Sequence, residues 1–164
     1  MSTAALVSVD EYLRLTDKPH REYREGVLYP KPMPTFPHGI IQAVLAALLR
    51  GLGLHAGTEV TLRLSPTTYL VPDVVAARLL ESPYPIEPVL LCCEILSPGD
   101  RLGATLAKCE EYHAGGTPYC WVIDPEKRTA WEFHLNGEPT RVTETLHAAE
   151  IIVQLGELFS ALDR

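Results

Sequence analysis

Apolar residues recur along this chain in two periods, and the switches between them divide it into elements. From His38 to Leu52, Ile40, Ile41, Val44, Leu45, Leu48 and Leu49 fall as adjacent pairs four residues apart, one stripe of an α-helix that Gly51 and Gly53 end. Leu102 to Ala114 repeats that period through Leu102, Leu106, Cys109 and His113, with Gly115-Gly116 as terminator. Ser8 and Glu11 form a capping box that opens a shorter helix through about Leu15, with Val9, Tyr12 and Leu13 on one side and Lys18-Pro19 as its stop. Period two marks the strands: Thr58 to Ser65 turns Val60, Leu62 and Leu64 inward, and Thr129 to Leu135 alternates Trp131, Phe133 and Leu135 with Glu132 and His134. Tyr69 to Ala77 predicts a further strand, with Pro72-Asp73 as an edge or bulge because proline has no ladder donor. Val89 to Leu96 and Tyr119 to Asp124 are nearly unbroken apolar runs, the pattern of strands buried on both faces. Strands near Arg141 to Thr145 and Ile151 to Val153 and a helix over Leu158 to Leu162 complete the chain.

Turn chemistry fixes the joints. Glu25-Gly26 predicts a hairpin within His20 to Tyr29, and Asn136-Gly137 another after Leu135. Pro30, Pro32, Pro34 and Pro37 within eight residues predict a loop, as do Pro83, Pro85 and Pro88.

A length of 164 residues predicts a single domain over 1–164 with a full core. The longest apolar run, Val44 to Leu49, is far short of a membrane span, so a soluble, cytoplasmic protein with no membrane partner is expected. Cys92, Cys93, Cys109 and Cys120 form no CxxC and sit among apolar neighbours, which predicts reduced core thiols. The net charge of −7 makes nucleic acid an unpromising partner at first sight. The charge is uneven, however: residues 1–50 carry six basic against five acidic residues, and the rest of the chain holds the whole excess. An anion-facing surface is therefore expected to draw on Arg14, Lys18, Arg21, Arg24 and Lys31.

Glu94 breaks the apolar run of its strand, and a buried carboxylate costs several kcal/mol unless a cation or donors meet it. A symmetric hairpin centred near Pro83 and Tyr84 sets Asp73 opposite Glu94, about 4.5–5.5 Å apart at the β-carbons. Two carboxylates at that range repel, and Mg²⁺ or Mn²⁺ would resolve the conflict. Lys108 lies on the helix that leaves the Glu94 strand, where its ammonium can swing over the sheet end. Metal and lysine beside two acids suit phosphodiester hydrolysis. Taken singly, the three have ordinary structural roles: a turn cap, a strand acid paired to arginine, a solvated helix lysine.

Pro72-Asp73, Glu94, Leu96-Ser97-Pro98 and Lys108, in that order, resemble the PD-(D/E)XK restriction-endonuclease-like pattern, specifically the Uma-two family. Val9 to Leu13, Glu22 to Leu28, His38-Gly39 and Tyr119 to Pro125, with Trp121 and Asp124, carry the likeness further, over residues 9 to about 135. The resemblance implies an α/β (α+β) class with a mixed β-sheet flanked by helices. It also implies a nuclease acting on DNA with Mg²⁺ or Mn²⁺ as cofactor. Asp73 and Glu94 would be metal ligands, the backbone carbonyl of Ile95 an extra ligand, Glu22 a further part of the metal shell and Lys108 the catalytic lysine. The pattern departs at Leu96, where lysine would stand two residues after the glutamate; Lys108 takes over that function from the helix.

His38 and Gln42 face the same way at the start of the long helix and are further candidates, although a cap or turn role is the ordinary one for His38; Tyr112 is expected to pack beside Lys108. Trp121, Trp131 and Phe133 have core periodicity and are not expected to stack on bases. Two alternatives stay open: a non-catalytic nuclease-fold module for assembly or nucleic-acid binding, and a thiol enzyme using Cys109 or Cys120. A homodimer would place two sites on a duplex.

Overall fold

Strand residues of alternating and doubly buried pattern build two main sheets in the computed structural model, which describes residues 5–17, 20–79 and 82–164. Helix α1 (Val9–Leu13) begins at the expected capping box, with the Ser8 and Glu11 side chains each bonded to the other's backbone N–H at 3.2 and 2.8 Å. It ends sooner than the sequence suggested; the expected stop at Lys18-Pro19 lies outside the described residues. Strands β1 (Glu22–Arg24) and β2 (Val27–Tyr29) form the predicted hairpin, with Glu25 and Gly26 both at positive φ, as a two-residue primed turn requires.

Helix α2 (Phe36–Gly51) starts two residues before the expected His38, inside the proline cluster. Pro37 is accommodated because the first helical turn has no partner for its missing N–H, and Thr35 caps the helix. The predicted strand Thr58 to Ser65 holds only the last residue of β3 (His55–Thr58), which the sequence reading did not foresee, and all of β4 (Leu62–Ser65), in a different sheet. The chain turns between them at Glu59, whose φ is +55°. Tyr69 to Ala77 is likewise two strands, β5 (Thr68–Leu70) and β6 (Val74–Ala77). Pro72-Asp73 is therefore neither edge nor bulge but the crossing from one sheet to the other.

The six-stranded sheet adds β7 (Leu91–Ile95), β8 (Tyr119–Asp124), β9 (Thr129–His134) and β10 (Thr140–Val142) in the order β10-β9-β8-β7-β6-β3. Its one parallel pair, β7 and β8, is joined by helix α3 (Leu102–Ala114), within the bounds read from periodicity. The smaller sheet runs β2-β1-β5-β4. Strands β11 (Thr145–Ala148) and β12 (Ile151–Gln154) pair as a hairpin, followed by α4 (Leu155–Ser160), which starts earlier than expected, and a 3-10 turn.

All five residues of β7 are buried, and its alternation sorts them between two cores. Leu91, Cys93 and Ile95 pack with α2, Trp121 and the C-terminal hairpin; Cys92 packs toward α3 with Cys109, Tyr112 and Cys120. The four cysteines are free and buried, and burial pushes the Cys92 and Cys93 thiols well up. Among the described residues no helix is long and apolar enough to cross a membrane.

Candidate active site

Strand parity and pairing register bring the first two acids together. Val74 faces Cys93 and Val75 faces Cys92 across antiparallel β6 and β7. Extending that register past the end of β6 sets Asp73 opposite Glu94, as the symmetric hairpin requires. Asp73 Oδ2 accepts the Ile95 N–H at 2.7 Å, so the carboxylate closes the ladder where Pro72 interrupts it. Glu94 lies two residues after Cys92 and shares its face, toward α3. There Lys108 Nζ stands 2.8 Å from Glu94 Oε1 and 2.6 Å from Glu22 Oε1. One turn on, the Tyr112 hydroxyl donates to Glu94 Oε1 at 2.5 Å, and Glu22 Oε1 also accepts the Val71 N–H at 2.9 Å. Glu22 thus anchors Lys108.

The first turns of α2 form the other wall. His38 Nε2 is 3.3 Å from Asp73 Oδ2, and its Nδ1 has no hydrogen-bond partner among the described residues. Gln42 Nε2 donates to the Asp73 carbonyl and to Glu59 Oε1, both at 2.8 Å. Asp73, Glu94, Ile95, Lys108, Glu22, His38 and Gln42, all singled out from the sequence, line one cleft of about 420 Å³.

Three participants were not foreseen. Tyr112 does more than pack: it is fully buried and its hydroxyl is spent on Glu94. Its spacing of four from Lys108 was the available signal. Lys31, from the proline loop, bonds Asp73 Oδ1 at 3.0 Å and Glu59 Oε2 at 2.9 Å. No period marks Lys31, which lies in a loop, and the alternation from Thr58 to Ser65 sets Glu59 outward without revealing the positive-φ corner there. The expected phosphate-facing set of Arg14, Lys18, Arg21, Arg24 and Lys31 is corrected at Lys31, while Arg14 stays exposed. Lys31 is turned inward, Arg24 is paired with Glu111 and Arg21 with Asp17, while Lys18 lies outside the described residues.

The acids differ in their protonation because their neighbours differ. Burial pushes Glu94 up to about 7 against the opposing pull of Lys108, and the Asp73 charge adds to the rise. Burial also raises Asp73, but the His38 bond, the Lys31 ammonium and the Ile95 N–H overcome it and hold that carboxyl low. Burial disfavours the Lys108 ammonium, yet Glu94 and Glu22 hold its pKa above the usual lysine range.

The donors fit a hard divalent ion. Glu22, Glu59, Asp73, Glu94 and Asp100 line the cleft against Lys31, Arg101 and Lys108, an excess of two negative charges. Asp73, Glu94 and the Ile95 carbonyl offer oxygen alone. Among the described residues no three His, Cys, Asp or Glu form a metal-binding group. Two carboxylates and a carbonyl leave the other positions to water and phosphate, the usual arrangement for Mg²⁺.

The mixed sheet, with its antiparallel β6–β7 pair and helical crossover into β8, is a restriction-endonuclease-like fold. The chain belongs to the Uma2 family, described as "Putative restriction endonuclease", whose model matches residues 9–162 and so extends past the likeness seen in the sequence. Its fold is similar to the crystal structure of "a putative nuclease belonging to DUF820" from Anabaena variabilis ATCC 29413, with TM-score 0.82, 23% identity, and coverage of 95% of this chain and 99% of that one. A cryo-EM structure of a DrdV–DNA complex matches with TM-score 0.44 and 22% identity over 74% of this chain and 10% of that chain. No curated protein matches the chain significantly.

Proposed function

We propose that this protein is a divalent-metal-dependent nuclease that hydrolyses phosphodiester bonds of DNA. The observation that carries the reading is the convergence of Asp73, Glu94 and Lys108 in one cleft, with Lys108 Nζ 2.8 Å from Glu94. Asp73, Glu94 and the Ile95 carbonyl would hold Mg²⁺ or Mn²⁺. A bound ion of this kind polarises a phosphoryl oxygen and makes water a competent nucleophile at neutral pH. Lys108, held by Glu22 and Glu94, presents a fixed positive charge to the oxygen on which charge develops. Tyr112 fixes the Glu94 carboxylate, and the Ile95 N–H fixes that of Asp73. Two sites in a homodimer would serve the two strands of a duplex.

The test is cleavage of labelled DNA and RNA duplexes and single strands with Mg²⁺, with Mn²⁺ and with EDTA, alongside calorimetry of Mn²⁺ binding. Asp73→Ala and Glu94→Ala should abolish metal binding and cleavage together, and Lys108→Ala should cut the rate by about 10²–10³-fold. Absence of cleavage across the panel, with no Mn²⁺ binding that Asp73→Ala removes, would end the proposal. DNA binding without cleavage would transfer it to the non-catalytic module.

A further inference from the structure

Lys31 is the feature of the cleft that the reaction above leaves unused. Its side chain is 8% exposed, unusually low for a lysine. Its Nζ is surrounded by oxygen: the Val71 carbonyl at 2.6 Å, Glu59 Oε2 at 2.9 Å and Asp73 Oδ1 at 3.0 Å. A carbonyl and two carboxylates around one cation form the donor set of a hard metal ion, filled here by an ammonium. Gln42 holds the seat in shape by bonding both Glu59 and the Asp73 carbonyl. Glu59 sits at φ +55°, a left-handed conformation that residues other than glycine rarely adopt. Pro30 and Pro32 flank Lys31, so the ammonium comes from a segment with little backbone freedom.

In sites that use two metals, the ions lie about 3.5–4 Å apart on opposite sides of the reacting phosphate. Asp73 carries Lys31 on Oδ1, accepts the Ile95 N–H on Oδ2 and faces Glu94 in the β6–β7 register. We propose that Lys31 is a built-in cation occupying the second-ion seat beside Asp73, so that this site loads one divalent ion where a two-metal nuclease loads two. The charges agree: Glu22, Glu59, Asp73 and Glu94 against Lys31 and Lys108 leave two negative charges, which a single divalent ion cancels. Lys31 neutralises Asp73 as a point charge and does not act as a Lewis acid. The inference rests on the metal dependence proposed above.

The experiment counts Mn²⁺ per chain by calorimetry and by electron paramagnetic resonance, which also reports spin coupling between neighbouring ions. The intact protein should bind one ion with an uncoupled spectrum. Lys31→Ala, which empties the seat, should bind two with a coupled spectrum, and Lys31→Arg, which keeps a cation, should bind one. Two ions in the intact protein would overturn the inference without any variant being needed. One ion in a folded Lys31→Ala, whatever its affinity, would also overturn it. Absence of Mn²⁺ binding in every form would instead remove the underlying metal dependence, so the two failures are distinct.

Discussion

Replacing Lys108 with methionine tests the electrostatic account of the cleft without requiring any catalysis. The change keeps the aliphatic stem and removes the one cation among the described residues that touches both Glu94 and Glu22, at 2.8 and 2.6 Å. At an effective dielectric constant of about 20, a 2.8 Å pair is worth roughly 6 kcal/mol before desolvation. The three side chains are only 8–15% exposed, so solvent screens them little. Removing one partner of such a pair leaves the other charge buried, at about 3–5 kcal/mol. For a chain of this size each kcal/mol moves the melting temperature by about 2–4 °C, which gives a fall of roughly 6–20 °C. The assay is thermal unfolding followed by circular dichroism in EDTA at pH 8. The sign with pH follows from Glu94. Its folded-state pKa already lies above the unfolded value and rises further without Lys108, so the native state binds the extra proton. The variant's deficit should therefore shrink as pH is lowered from 8 toward 5. A Lys108→Met protein melting within 2 °C of the parent at pH 8 would refute the buried-charge reasoning.

Other expectations are independent of that one. Tyr112→Phe removes the buried donor 2.5 Å from Glu94 and should cost about 1.5–3 kcal/mol by urea unfolding; a change below 0.5 kcal/mol would mean that the bond is not formed in solution. Gly116→Ala should destabilise by about 2–4 kcal/mol, because φ is +97° and a Cβ would lie 2.7 Å from Pro88 Cγ. Ala149→Asn, at φ +53° between β11 and β12, should raise stability by roughly 0.5–1 kcal/mol; a loss would show that the turn carries no strain. The four buried thiols should resist Ellman's reagent until the protein unfolds, and a fast-reacting native thiol would revive the thiol-enzyme alternative.

The sequence by itself determined what depends on neighbours in the chain. The α3 limits, the Ser8 capping box, the Glu25-Gly26 turn and the doubly buried β7 are set by periods and turn chemistry that act over a few residues. The pairing of Asp73 with Glu94 was also legible, because a single hairpin fixes its register once its centre is known. The tertiary structure decided where alternation stops serving one sheet and begins serving another. Val60, Leu62 and Leu64 alternate without a break although Val60 precedes β4, so the pattern does not show that the chain has left β3 at Thr58 and changed sheets. It also decided which cations meet the acids. Lys31 approaches Asp73 from 42 positions away in sequence, along a proline loop with no period to read. Its neighbours in the chain say only that the loop is stiff. That its ammonium lies beneath the surface, on an acid otherwise suited to a metal, follows from the packing of that loop over the crossing between the sheets.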